Sequence, residues 1–141
     1  MGSGRREWAV AAIGVGAALS LLLPWARTGT RTRSSLDLMS SANALDLVTG
    51  WQRIAVFAGW FGVVAGAAAG LVLVAWDRPL PGAVATASVG PAIALAVAAV
   101  AASPFALVWG AWLASGLGAT ASIGGGLVVL THVSMREGSR A

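Results

Sequence analysis

The sequence contains no cysteine, lysine or tyrosine, and only 10% of its residues are charged. Because cysteine is absent, disulfides, thiolate nucleophiles and cysteine-based zinc or iron–sulfur sites are excluded. Soluble domains usually carry about a quarter charged residues, so the shortage of charge indicates a chain that lies largely in a membrane. All nine basic residues are arginine, which together with the abundance of alanine, glycine and valine is typical of a high-GC bacterium.

Three long stretches have no charged residue at all, namely 8–26, 54–76 and 79–135. A bilayer core of ~30 Å is crossed by about 20 helical residues, so the first two stretches each supply one span. The third would reach roughly 85 Å as one helix, so it turns back, and Ser103-Pro104 divides it into two usable lengths. The sequence therefore predicts an all-α integral membrane bundle of four transmembrane helices, a single domain over residues 1–141 with spans near 8–26, 53–76, 82–102 and 106–131.

Proline and tryptophan add detail to these spans. Pro91 lies inside the third span and predicts a kink, because proline removes one helical hydrogen bond. Trp8 and Trp25 bracket the first span, and Trp51 and Trp76 bracket the second, as interfacial tryptophans do. An N-terminal signal peptide is the alternative for the first span, but Pro24-Trp25 stands where small residues precede a cleavage site, which favours a retained anchor.

Orientation follows from the arginines. Four spans place both termini on one side with five arginines, against four on the side of the 27–52 loop. The positive-inside rule therefore predicts a multi-pass protein of the cell (plasma) membrane with both termini in the cytoplasm.

The 27–50 loop is the longest polar segment and divides into two parts. Residues 27–33 are basic and are predicted to be irregular, whereas Ser35 is predicted to cap a short helix that begins at Leu36. This helix is expected to be re-entrant or to lie at the surface, with its apolar side on the membrane surface or on helix ends. Two interpretations of Arg27, Arg31 and Arg33 stay open: they bind an anionic headgroup or an acidic patch on a partner, or they are solvated and touch lipid phosphate.

Glycines at helical spacing predict close helix packing. Gly62, Gly66 and Gly70 recur every four residues in the second span, and Gly118 and Gly126 repeat the pattern less strictly in the fourth. Such faces let a neighbouring backbone approach closely. They serve equally well for an internal bundle and for contact with a larger membrane protein or a second copy of the chain.

Apart from Arg53, which begins the second span, no ionisable residue lies within the predicted spans, where buried charges usually mark catalytic and transport sites. His132 is the single histidine and cannot build a metal site alone. The sequence predicts no catalytic, cofactor or metal site and gives no support for nucleic-acid binding. The favoured function is therefore a non-enzymatic accessory or scaffold subunit of a larger membrane complex.

Two other function classes stay open. One is a small carrier or lipid-handling protein, in which Pro91 opens a cavity for an apolar molecule. The other is an enzyme acting on a lipid or polyprenyl substrate, with the three loop arginines, Asp37 and Asp46 as its candidate residues.

The segment around the end of the first span carries a resemblance. Leu22-Leu23-Pro24-Trp25, followed by Arg27, Gly29 and Arg33-Ser34-Ser35-Leu36, resembles a group of small, uncharacterised four-span integral membrane proteins of actinobacteria. The resemblance implies a membrane location and a similar fold, and it implies no activity.

Overall fold

A computed structural model of the chain describes residues 3–44, 50–102 and 106–138 and is mostly helical. Its first part comprises α1 (Ser3–Leu19), a 3-10 turn (Ser20–Leu22), β1 (Pro24–Thr28), β2 (Arg31–Ser34) and α2 (Ser35–Ala44). Its second part comprises α3 (Trp51–Ala75), α4 (Pro79–Ala87), α5 (Val89–Ala101), β3 (Ala106–Leu107) and α6 (Trp109–Gly138).

Three helical segments among the described residues are long and apolar enough to cross a membrane, by length and composition. They are Arg53–Ala75 in α3, the combined α4–α5 segment Pro79–Ala101, and Trp109–Met135 in α6. They coincide with the second, third and fourth predicted spans. The predicted turn at Ser103-Pro104 falls outside the described residues, between the end of α5 and the start of β3.

The first predicted span differs most from the structure. The α-helix begins at Ser3 rather than at residue 8 and ends at Leu19, so the prediction of a helix continuing to residue 26 is wrong. The reason is Pro24, which forces the preceding residue into an extended conformation; Leu23 has φ −76° and ψ 164°. Beyond it the chain continues as β1.

Trp25 does not lie in an interfacial belt, as its spacing from Trp8 predicted. Its side chain is only 1% exposed, and its indole N–H donates to the carbonyl oxygen of Ser20 at 3.0 Å. The other three bracketing tryptophans, Trp8, Trp51 and Trp76, are exposed, as interfacial side chains are in an isolated protein. Trp25 is therefore a structural residue that fixes the change from helix to strand.

The basic segment 27–33 forms most of a β-hairpin, so the prediction of an irregular loop is wrong. Gly29-Thr30 forms the two-residue turn, and Gly29 has φ +60°, a value that glycine adopts readily at the first turn position. The second edge of β1 pairs with β3, with Ala26 opposite Leu107 and Arg27 opposite Ala106. The fold is therefore a helical assembly with a small three-stranded sheet at one end, in the order β2-β1-β3, rather than purely α.

The helix predicted in the loop is confirmed as α2, but Ser34 rather than Ser35 occupies the capping position. The Ser34 hydroxyl accepts a hydrogen bond from the backbone N–H of Asp37 at 3.2 Å, and the Asp37 carboxylate accepts one from the backbone N–H of Ser34 at 3.3 Å. This reciprocal arrangement is a capping box. Ser35 instead donates its hydroxyl to the carbonyl oxygen of Leu21, which holds α2 against the 3-10 turn.

The core lies between α1, α3, the α4–α5 segment and α6, and small side chains dominate it. Helix α3 packs along α4 and α5, and α1 packs against α3 and α6. The most deeply buried residues include Ala17, Val63, Val89, Ile93 and Ala114. Because most of these side chains are short, the helices approach one another closely and rely on van der Waals contact.

Candidate functional site: a lateral groove beside Pro91

An apolar groove of about 610 Å³ runs along the outside of the bundle between α5 and α6. It is open on its outer side. Small side chains at four-residue spacing line each wall, Ala94 and Ala98 from α5 and Ser115 and Ala119 from α6. The remaining lining residues are Gly90, Pro91, Ile93, Val97, Ser122 and Ile123.

Pro91 determines the shape of one end of the groove. The predicted interruption of the third span is found at Ser88, the single residue between α4 and α5. Proline has no N–H to donate to the carbonyl oxygen four residues earlier, which belongs to Ala87. The hydroxyl of Ser122 on α6 donates to that oxygen at 2.7 Å. A side chain of one helix thus replaces a hydrogen bond that Pro91 removes from another.

Glycine at position 90 makes this bond possible. A Cβ added to Gly90 would collide with the Ser122 hydroxyl and would lie 2.6 Å from the carbonyl oxygen of Gly118. Gly118 in turn lies against Gly90, because a Cβ added at Gly118 would lie 3.2 Å from the Cα of Gly90. The two backbones therefore meet at a glycine–glycine contact, and the groove widens from there along α5 and α6.

The polar groups in the groove are already paired. The Ser115 hydroxyl donates to the carbonyl oxygen of Ala111 in its own helix at 2.9 Å, and Ser122 donates to Ala87. No ionisable side chain is among the lining residues. The groove therefore offers apolar contact and close backbone approach to whatever occupies it.

The predicted packing glycines of α3 all face the α4–α5 segment. A Cβ added at Gly62 would lie 3.0 Å from the Cβ of Ala92. One added at Gly66 would lie 3.0 Å from the carbonyl oxygen of Ala85, and one added at Gly70 would collide with the Thr86 hydroxyl. In the described structure these glycines are thus occupied by contacts within the chain.

The glycines of α6 that make close contacts are not all the ones that the four-residue spacing predicted. Gly118 contacts Gly90, but no atom lies within 4 Å of a Cβ added at Gly126. Its neighbour Gly125 makes the close contact instead, because an added Cβ there would lie 2.5 Å from the carbonyl oxygen of Ala83. Gly124 also faces a neighbouring helix, because an added Cβ there would lie 3.0 Å from a methyl group of Val10. Four-residue spacing alone did not reveal which of the three consecutive glycines make close contacts.

The three loop arginines lie on the hairpin but do not form one cluster. Cross-strand pairing places Arg27 opposite Thr32, and Arg33 opposite Ala26. Because successive strand residues face opposite sides, Arg31 and Arg33 share one face while Arg27 lies on the other. Arg27 also donates from its Nε to the carbonyl oxygen of Gly29 at 2.9 Å, which stabilises the turn.

The remaining polar candidates have structural partners. Asp37 belongs to the capping box of α2, Asp46 lies outside the described residues, and the Nδ1 of His132 is 3.2 Å from the carbonyl oxygen of Val128 in its own helix. Within the described ranges, no group of three or more histidine, aspartate or glutamate side chains is arranged to hold a metal ion.

Two buried polar groups are absent from the candidates that the sequence suggested. Glu7, one residue before the first run, lies within α1 and is 9% exposed, packed among Val74, Gly82 and Thr86. The indole N–H of Trp60 is buried without a hydrogen-bond partner among the described residues. Hydropathy could not reveal that Glu7 is buried, because a single carboxylate next to an apolar run is interpreted as the end of the span.

Comparison with protein-family models, with curated proteins and with solved structures gives no match to this chain.

Proposed function

We propose that this chain is a multi-pass protein of the plasma membrane in which α1, extended by its 3-10 turn, forms a fourth span. Helix α1 has 17 residues and the turn adds three, and a bilayer core requires about 20. Arg5, Arg6 and Glu7 in the first turns of α1 would then lie at the membrane surface, with the uncharged residues from Trp8 to Leu22 inside the membrane. Contacts of α1 with both α3 and α6 support this assignment. The arginine distribution further favours cytoplasmic termini.

Within that membrane we propose a non-enzymatic accessory role: the α5–α6 groove holds a transmembrane helix of a larger membrane protein. The observation that carries this proposal is the pair of small-residue walls facing each other across the groove, Ala94 and Ala98 on one side and Ser115 and Ala119 on the other. Small residues at four-residue spacing allow a third helix to pack closely, and the glycine faces of α3 are already filled by the chain itself.

Co-purification tests this proposal with a matched pair of variants. Ala98 and Ala68 are both exposed alanines of membrane-spanning helices, but only Ala98 lines the groove. We expect Ala98→Phe to abolish the stoichiometric recovery of a larger membrane protein after mild detergent extraction, and Ala68→Phe to leave it unchanged. Recovery of the wild-type chain alone, or equal loss with both variants, would contradict the proposal.

Pro91 favours a second function, a carrier for an apolar molecule, because it forms the end of the same open groove. In that case the groove takes a lipid-like molecule in place of a helix. Proteoliposomes containing the purified chain would then accelerate transfer of a fluorescent isoprenoid or phospholipid between leaflets, and Ala98→Phe would reduce that rate. Transfer no faster than in empty liposomes would exclude the carrier function for that probe.

A further inference from the structure

A second groove, of about 390 Å³, lies between α1 and α6, away from the Pro91 site. Its walls are apolar or small and come from Ala9 and Val10 on α1 and from Gly124, Leu127 and Val128 on α6. Arg6 and Thr131 complete the lining. None of these residues lines the α5–α6 groove.

The helix directions place the polar residues of this groove at one end. Val10 contacts the position of Gly124, and Gly16 lies near Leu117, so α1 and α6 run antiparallel. Arg6 is the earliest lining residue of α1 and Thr131 the latest of α6, and both therefore lie at the end of the bundle where the chain begins. From Thr131 to Gly124 the groove runs about two helical turns inward, roughly 10 Å at ~1.5 Å per residue.

Arg6 is exposed and, within the part of the chain that the structure describes, makes no ion pair or hydrogen bond. The next residue, Glu7, is buried and lines a separate small cavity with Val74, Gly82 and Thr86, and no carboxylate lines the groove. Among the residues that line it, the groove thus has one positive charge at its surface end and no negative charge.

We propose that this groove binds an anionic phospholipid, with the phosphate at Arg6 and the first part of one acyl chain along Ala9, Val10 and Leu127. The order of chemistry along the groove, a cation at the surface followed by apolar walls, matches the order of groups in such a lipid. A guanidinium presents paired N–H donors that suit phosphate oxygens and is weakly hydrated. The uncompensated charge favours an anionic headgroup over a zwitterionic one.

Lipid titration with a matched arginine pair tests the headgroup part. The purified, delipidated chain in detergent micelles is titrated with phosphatidylglycerol or phosphatidylcholine of identical chains, and bound lipid is counted by native mass spectrometry. Arg5 is exposed like Arg6 but does not line the groove, so Arg5→Gln removes the same charge beside it.

We expect phosphatidylglycerol to bind more tightly than phosphatidylcholine. Arg6→Gln should lower phosphatidylglycerol affinity about fivefold, equivalent to about 1 kcal/mol for one arginine at an anionic surface. Arg5→Gln should change that affinity by less than about twofold, since screening weakens a charge that does not contact the lipid. Equal binding of the two lipids, or equal effects of the two arginine variants, would overturn the proposal.

A second pair tests the acyl-chain part independently of charge. Ala9 and Ala12 are both exposed on α1, and only Ala9 lines the groove. Ala9→Phe fills the groove and should reduce phosphatidylglycerol binding at least as strongly as Arg6→Gln, whereas Ala12→Phe should leave it unchanged. Undiminished binding to the Ala9→Phe variant would show that the lipid sits elsewhere and would refute the site.

Discussion

Replacing Ser122 by alanine removes a hydroxyl that donates a hydrogen bond to the carbonyl oxygen of Ala87. That oxygen has no helical N–H donor because the residue four positions later is Pro91. Side-chain hydrogen bonds between transmembrane helices contribute ~0.6 kcal/mol on average and up to ~1.7 kcal/mol. We expect a value near the upper end, about 1.5 kcal/mol, because the Ala87 oxygen loses its interhelical partner. This bond is partly buried, and the loss of a partner from an acceptor shielded from water is the costly case for a hydrogen bond.

Ser115→Ala is the matched control. Ser115 is also a half-buried serine of α6 that lines the same groove, but its hydroxyl bonds to a carbonyl oxygen of its own helix. That oxygen keeps its ordinary helical donor when the hydroxyl is removed. The control should therefore lower the free energy of unfolding by less than about 0.5 kcal/mol.

The two serine variants are compared by reversible unfolding in mixed detergent–SDS micelles, and each is repeated in the Pro91→Ala background. Substitution of the proline supplies a backbone N–H at position 91 that can donate to Ala87, so Ser122→Ala should become nearly neutral there. The resulting coupling energy between positions 91 and 122 is expected to be about 1 kcal/mol. A Ser122→Ala effect that matches the control, or that persists in full without Pro91, would refute the reasoning.

Three further predictions use the same unfolding assay or a simple topology measurement. Gly125→Ala should destabilise by about 1–3 kcal/mol through overpacking, whereas Gly126→Ala, with open space around it, should be neutral or slightly stabilising; similar values would contradict the assigned helix face. Trp25→Phe should cost about 1 kcal/mol more than Trp60→Phe, because only the indole of Trp25 has a hydrogen-bond acceptor, and a reversed order would refute the assignment. In whole cells a membrane-impermeant maleimide should label a Thr30→Cys variant, while a C-terminal green fluorescent protein should fluoresce; an unlabelled hairpin in intact cells would reverse the proposed orientation.

Charge-free length was sufficient to locate the three long helices. The α3 segment Arg53–Ala75 and the α6 segment Trp109–Met135 agree with the predicted spans because, in long apolar runs, helix is the conformation that satisfies every backbone group without water. The same criterion failed before Pro24, where the residues stay apolar but the backbone changes to a strand. Hydropathy indicates whether a side chain favours an apolar environment. It does not detect a change of the backbone from helix to strand within a run of apolar residues.

The hairpin was missed although its local signal is present. Thr28, Thr30 and Thr32 alternate with other residues around Gly29, a pattern of β-branched residues about a turn-forming glycine, but the density of arginines made a solvated loop the simpler interpretation. The third strand had no such signal. Ala106-Leu107 pairs with β1 only because α5 ends at the same end of the bundle as α1, and such contacts between distant segments cannot be derived from local patterns.

The groove at Pro91 was partly predictable. Proline inside an apolar run indicated a bend, and the sequence placed it correctly in the third span. The partner for the broken hydrogen bond was not predictable, since Ser122 is one of several serines in α6 and only the meeting of Gly90 with Gly118 determines which of them reaches Ala87. The open space beside Gly126, where an added Cβ would meet no atom within 4 Å, was not predictable for the same reason: helix rotation is set by tertiary contacts.

The small sheet constrains the order in which the chain is assembled. Strand β1 and its partner β2 are made early in synthesis, but the other edge of β1 stays open until β3 has been made and has reached the same end of the bundle. Closure of that edge, including the bond from the backbone N–H of Val108 to the carbonyl oxygen of Trp25, therefore follows the placement of α3, α4 and α5. Until then the chain exposes a free strand edge, which can pair with another chain.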